Sequence, residues 1–199
     1  MIAIVDYGLG NILAFVTSYK RMGIPVAVAK TPADLAGASK IILPGVGSFD
    51  HAMGLLAKSG MRPSLDELVV GKKTPVLGIC VGMQILARSS EEGGEAGLGW
   101  IDGDVCKIDA ARLPHMGWND VSPAQSGGLF AGLESGARFY FLHSYYFRCD
   151  RQEDVLATAD YGAPFACAVR RGNVYGVQFH PEKSHRYGTR LLQNFAELA

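Results

Sequence analysis

Apolar residues in the first half of the chain fall in short unbroken runs, and each run gives way to a segment where they recur at helical spacing. The run IAIV at 2–5 leads through Asp6 and Gly8 into a helical stretch from Asn11 to Arg21, with Asn11 as its N-cap. Strand-like runs return at 24–30 and 40–43, and 49–58 and 62–70 read as helices. The wholly apolar 75–79 is a strand that passes into a helix over 81–89. Strand and helix alternate, which is the pattern of βαβ units around a parallel sheet.

After about Gly97 the period changes. VCKI at 105–108, ARFYFLHSYYF at 137–147, VLATAD at 155–160, FACAVRRG at 165–172 and NVYGVQF at 173–179 are β-branched and aromatic runs divided by glycine, proline and charged turns. A final helix is expected over 184–198. EEGGEAGLG at 91–99 reads as a flexible connection, too short to divide the chain. The expectation is one α/β domain over 1–199: a central, mostly parallel sheet flanked by helices, with a strand-rich, partly antiparallel second half.

With 199 residues, 48% of them hydrophobic, the chain can bury one sizeable core. Its 19 basic and 19 acidic residues cancel without forming a block of either sign, which argues against nucleic acid or an anionic membrane as partner. No segment has the ~18 consecutive apolar residues of a membrane span, and MIAIVDYG lacks the features of a secretion signal, so a cytoplasmic location is expected. The four cysteines, at 80, 106, 149 and 167, show neither a Cys-x-x-Cys pair nor zinc-like spacing, and no metal is expected. Two glycine pairs, Gly8 with Gly10 and Gly45 with Gly47, fail the dinucleotide-binding pattern because Leu13 and Asp50 stand where its third glycine belongs. No cofactor is expected either.

One cysteine has a special setting. Gly78-Ile79-Cys80-Val81-Gly82 is a cysteine version of the nucleophile elbow, at the point where a strand turns into a helix. The flanking glycines permit a tight turn, and the sulfur should stand above the carboxyl edge of the sheet, where open α/β folds bind ligands. A helix N-terminus contributes ~0.3–1 kcal/mol to the thiolate, less than the ~1.4 kcal/mol of one pKa unit, so the thiol needs a basic partner. His180 ends the strand-like run 173–179 at the same sheet edge, and Glu182, two residues on, can orient its ring. The Val81 amide is a candidate oxyanion donor, and Pro44-Gly45-Val46-Gly47 after the strand 40–43 offers a second. A Cys-His peptidase or a related elbow hydrolase would use the same parts. The other histidines, His51, His115, His143 and His185, are assigned no catalytic role.

LGICVGMQ at 77–84, PGVGSF at 44–49 and HPEKS at 180–184, in this order and spacing, resemble the class I, triad-type glutamine amidotransferases over essentially the whole chain. DYGLGN at 6–11, PHMGWN at 114–119, FYFLHSYY at 139–146 and GVQFHPEKS at 176–184 are similar to segments of the glutaminase subunit of imidazole glycerol phosphate synthase within that family. The resemblance implies that Cys80 attacks the side-chain amide of glutamine, that His180 moves the protons and that Glu182 orients it. It also implies that Gly45, Gly47, Gln84, Ser144 and Tyr145 hold the substrate and that Val46 is the oxyanion-loop residue.

The implied partner is a (β/α)8-barrel cyclase that receives the ammonia in a heterodimer, with Trp118, Asn119, Tyr140 and Lys183 near the subunit interface. Paralogues of that subunit, which share the triad, supply a sugar amidotransferase in surface-polysaccharide synthesis instead. NILAFVTSYKRMG, FACAVR and HPEKSHRYG resemble those paralogues as well.

Overall fold

The computed structural model describes residues 1–198. Its first half alternates as the patterning predicts: β1 (Ile2–Val5), α1 (Ile12–Arg21), β2 (Val26–Ala29), β3 (Lys40–Gly45), α2 (Phe49–Lys58), α3 (Arg62–Asp66), β4 (Val76–Cys80) and α4 (Val81–Gln84). The second half is strand-rich: β5 (Ser89–Ser90), β6 (Gly103–Lys107), β7 (His115–Asp120), β8 (Ser122–Pro123), β9 (Arg138–His143), β10 (Tyr145–Cys149), β11 (Val155–Asp160), β12 (Pro164–Arg171) and β13 (Val174–Val177). The helix α5 (His185–Glu197) follows.

The main sheet has the order β2-β1-β3-β4-β13-β12-β11-β8. Its members from β2 to β13 run parallel, and β12, β11 and β8 continue it in antiparallel fashion. The parallel strands are wholly apolar because both faces are covered: every residue of β1, β4 and β13 is buried. α1 buries Phe15 and Tyr19, four residues apart on one face, and Tyr19 donates its hydroxyl hydrogen to the Leu192 carbonyl of α5 at 3.3 Å. α5 buries Gly188, Leu191, Leu192 and Phe195, an apolar stripe at helical spacing.

One expectation is refined and three are corrected. Asn11 occupies the N-cap position of α1 but makes no side-chain capping bond; its φ of −88° and ψ of 68° differ from the extended cap geometry that aims a side-chain oxygen at the first-turn amides. The helix expected over 81–89 stops at Gln84. The carbonyls of Ile85, Leu86 and Ala87 accept instead from the amides of Leu98, Trp100 and Gly99, so 97–100 takes the place of the helix's next turn. The same bonds fasten the stretch read as a flexible connection. Asp50 further accepts from the Gly94 and Glu95 amides, and Glu92 from the Phe49 amide.

The run at 137–147 is two strands rather than one. β9 pairs with β7 and β10 with β6, in different sheets, and the chain turns the corner at Ser144.

Candidate active site

β4 ends on Cys80, whose φ of 55° and ψ of −114° put a non-glycine residue in the left-handed half of backbone space. Such strain costs on the order of 1–3 kcal/mol and persists only where packing holds it. The neighbouring glycines supply that packing rather than the turn itself. A Cβ on Gly82 would lie 1.9 Å from the Leu43 carbonyl oxygen of β3, and one on Gly78 would lie 2.4 Å from the Gly82 oxygen. α4 therefore sits directly on the sheet, with the Val81 amide in its first turn, where a helix has no acceptor of its own.

β4 pairs with β13 in register Val177 to Ile79, so residues just past Val177 emerge at the edge where Cys80 stands. His180 is fixed there by its own amide, which donates to the Tyr140 carbonyl at 2.8 Å, and by Ser184 Oγ, which donates to the His180 carbonyl at 2.6 Å. Glu182, in the single 3-10 turn that follows, brings Oε1 within 2.9 Å of His180 Nδ1. A carboxylate can only accept, so Nδ1 carries the hydrogen and Nε2 is left for the thiol. Burial of His180 opposes a charged ring, but Cys80 and Glu182 outweigh it and raise the imidazole's pKa to about 10. Cys80, His180 and Glu182 are thus brought together, with their side chains nearly inaccessible to solvent.

Beside Cys80 and His180 lies a cavity of about 300 Å³, at the lower end of the ligand-pocket range and suited to a molecule of amino-acid size. Val46, Gly47, Val81, Gln84, Ser144, Tyr145 and Lys183 line it, all residues singled out from the sequence. Gly45 stands behind this wall. It is the last residue of β3, paired with Cys80, and a Cβ there would lie 2.5 Å from the Gly82 nitrogen. Val46 is exposed and Gly47 has a φ of 92°.

The two aromatic residues expected at an interface, Trp118 and Tyr140, sit edge to face with centroids 6.3 Å apart, and Lys183 Nζ lies 5.6 Å from the Tyr140 ring. Asn119 points the other way. Its Nδ2 donates inward to the Asp160 carbonyl at 2.7 Å and approaches His115 at 3.3 Å.

Several site residues were missed. Gln178 is fully buried and donates from Nε2 towards Cys80 Sγ at 3.8 Å, while its Oε1 accepts from Gln84 Nε2 at 3.1 Å. Its signal was present: a glutamine closing an otherwise apolar strand run must satisfy its amide in the interior. Tyr7 donates to the Pro44 carbonyl at 2.8 Å, and burial, then the nearby Cys80, push its hydroxyl pKa up. His143, Leu142, Pro114 and Glu92 complete the cavity wall. Among the described residues no cluster of His, Cys, Asp or Glu could hold a metal ion, and no helix is long and apolar enough to cross a membrane.

The fold is shared with solved structures. A glutamine amidotransferase crystal structure superimposes with a TM-score of 0.78 at 23% identity, covering 98% of this chain and 97% of that one. The PurLQS structure from Thermotoga maritima gives 0.77 at 16% identity with the same coverage. Sequence relatives are nearer. The protein named imidazole glycerol phosphate synthase subunit HisH in Bdellovibrio bacteriovorus is 61% identical over the full length of both chains. The protein of that name in Leptospira interrogans is 52% identical and the one named subunit HisH 2 in Pseudomonas aeruginosa 47%, again over both full lengths. The family model "Glutamine amidotransferase class-I" matches residues 3–198, spanning the elbow cysteine and the histidine and glutamate that face it, and the chain belongs to that family.

Proposed function

We propose that this chain, acting as a single glutamine amidotransferase domain, is the glutaminase subunit of an imidazole glycerol phosphate synthase. The observation that carries the chemistry is the strained Cys80 elbow facing a His180 ring held by Glu182, at the wall of a cavity of amino-acid size. The relatives named HisH, 41–61% identical over full or nearly full length, support the choice of subunit.

In this reading Cys80 Sγ adds to the side-chain amide carbon of glutamine. The Val81 amide, with Val46 on the opposite loop, takes the developing oxyanion. His180 gives a proton to the departing nitrogen, so ammonia leaves and a glutamyl thioester remains. His180 then takes a proton from water, whose oxygen displaces the thiolate and releases glutamate. General acid–base catalysis of this kind contributes about 10²–10⁴-fold. No electron or group carrier enters the balance.

Ammonia in neutral water is mostly ammonium, which is no nucleophile, so the product must pass to its acceptor without mixing with solvent. We assign the partner as a (β/α)8-barrel cyclase forming a heterodimer across the face that carries Trp118, Tyr140 and Lys183, in the cytoplasm. The test measures glutamine turnover by the chain alone, with a barrel cyclase and its acceptor, and with a sugar amidotransferase. Stimulation by the cyclase, abolished by Cys80→Ala, supports the reading; stimulation by the sugar amidotransferase alone transfers the subunit to surface-sugar amidation.

A further inference from the structure

Two buried histidines that the mechanism does not use form a directed hydrogen-bonded relay into the substrate cavity. His143 closes β9 and faces His115, the first residue of β7, across the strand pair. His143 Nδ1 lies 2.8 Å from the Tyr145 carbonyl oxygen, and its Nε2 lies 3.0 Å from His115 Nδ1. His115 Nε2 lies 3.3 Å from Asn119 Nδ2. The Asn119 amide is oriented by its oxygen, which accepts from the Asp120 amide at 2.8 Å.

These contacts leave one arrangement of hydrogens. A carbonyl only accepts, so His143 Nδ1 is the donor to Tyr145. Burial pushes the His143 pKa down to about 3 against the opposing hydrogen bond to the Tyr145 carbonyl, with the nearby His115 and His180 adding to the effect of burial, so the ring is neutral and its Nε2 is bare. His115 Nδ1 must then donate to it. Burial lowers the His115 pKa as well, leaving its Nε2 to accept from Asn119. The His115 ring is held in place by Phe141 at 4.7 Å and Tyr161 at 4.1 Å, both stacked on it.

The relay ends on a carbonyl with a second duty. Tyr145 O also accepts from Gln84 Nε2 at 3.2 Å, and the same nitrogen donates to Gln178 Oε1 at 3.1 Å. Both amide hydrogens of Gln84 are therefore used, and what it has left is Oε1, an acceptor suited to the ammonium or amide hydrogens of a glutamine in the cavity it lines.

We propose that His143, backed by His115, is a positioning residue for the substrate: it pins the Tyr145 carbonyl, which orients Gln84 so that its oxygen faces the bound glutamine. This rests on the glutaminase reading and adds to it a role for residues outside the triad.

The experiment compares glutamine kinetics and thermal melting of the full chain with its partner for wild type, His143→Leu and His143→Asn. Asparagine places its Nδ2 hydrogens where the histidine Nδ1 hydrogen stood; leucine places none. His143→Leu should raise KM ~10-fold, the scale of one lost hydrogen bond to the binding apparatus, with kcat within about 3-fold of wild type. His143→Asn should bring KM back to within about 3-fold of wild type. His115→Phe, which keeps the ring stack but frees the His143 tautomer, should raise KM less than His143→Leu. A wild-type protein that turns glutamine over, with His143→Leu and His143→Asn sharing one KM, overturns the positioning role while leaving the glutaminase reading intact. A wild-type protein that neither binds nor hydrolyses glutamine overturns both.

Discussion

The pH behaviour of the proposed triad follows from His180. Its pKa is raised on folding from the ordinary 6.5 to about 10 because Cys80 and Glu182 favour the imidazolium more strongly than burial opposes it. The protonated ring therefore stabilises the fold, a contribution complete below about pH 6.5 and lost as pH rises through about 10. Glu182→Gln removes one of the two groups that raise it. Turnover should fall by on the order of 10²-fold, and its alkaline limb should move to lower pH; rate profiles from pH 6 to 10.5 on both proteins check this. An unshifted limb would mean that Glu182 does not hold the ring. Cys80, His180 and Glu182 were legible in the sequence because each sits in a local pattern, an elbow or a strand end. His115 and His143 were not, since they lie 28 residues apart and only the β7–β9 register brings their nitrogens to 3.0 Å. Tyr7 was hidden for the same reason: its acceptor, Pro44, is 37 residues away.

At the level of elements, the elbow depends on how closely α4 approaches β3. The Leu43 carbonyl oxygen would be 1.9 Å from a Cβ on Gly82, and backbone, unlike the end of a side chain, cannot step aside cheaply. Gly82→Ala should destabilise the protein by about 2–4 kcal/mol and lower Cys80 reactivity, because relief requires moving Val81 and the turn that holds the strained cysteine. Denaturant unfolding and the rate of Cys80 alkylation measure the two effects; a variant with native stability would show that the approach is not rigid. The strands and long helices were legible from their hydrophobic period, which is a local property. The end of α4 was not. Its apolar continuation, Ile85-Leu86-Ala87, is buried as a helix would be, but its carbonyls are taken by 97–100, a choice made by tertiary pairing. The corner at Ser144 was hidden likewise, since an unbroken run such as FYFLHSYYF does not say that its halves join different sheets.

Taken whole, the molecule carries an unusual surface next to its cavity. Along the outward face of the β7–β9 pair, Met116 stands opposite Leu142 and Trp118 opposite Tyr140, and Met116, Trp118 and Leu142 are all exposed. Leu142 also lines the cavity, so whatever covers this face lies at the cavity's rim. The His185 ring stacks parallel on Trp118 at 5.3 Å, and Tyr140 meets its edge, which holds the indole in one orientation before any partner arrives. A preorganised, exposed tryptophan is the kind of side chain that dominates association, typically by ~2 kcal/mol or more. Trp118→Ala should therefore weaken binding of the proposed cyclase partner about 30-fold, while the melting temperature changes little because the residue is 40% exposed. The isolated chain should turn glutamine over slowly and accelerate strongly once the cyclase and its acceptor are present, since ammonia made without a covered exit is lost as ammonium. In a titration of cyclase against the two proteins, Trp118→Ala should reach the wild-type maximal rate only at the higher partner concentration. An equal midpoint for both would remove Trp118 from the interface, and full activity of the chain alone would remove the need for a partner to switch it on.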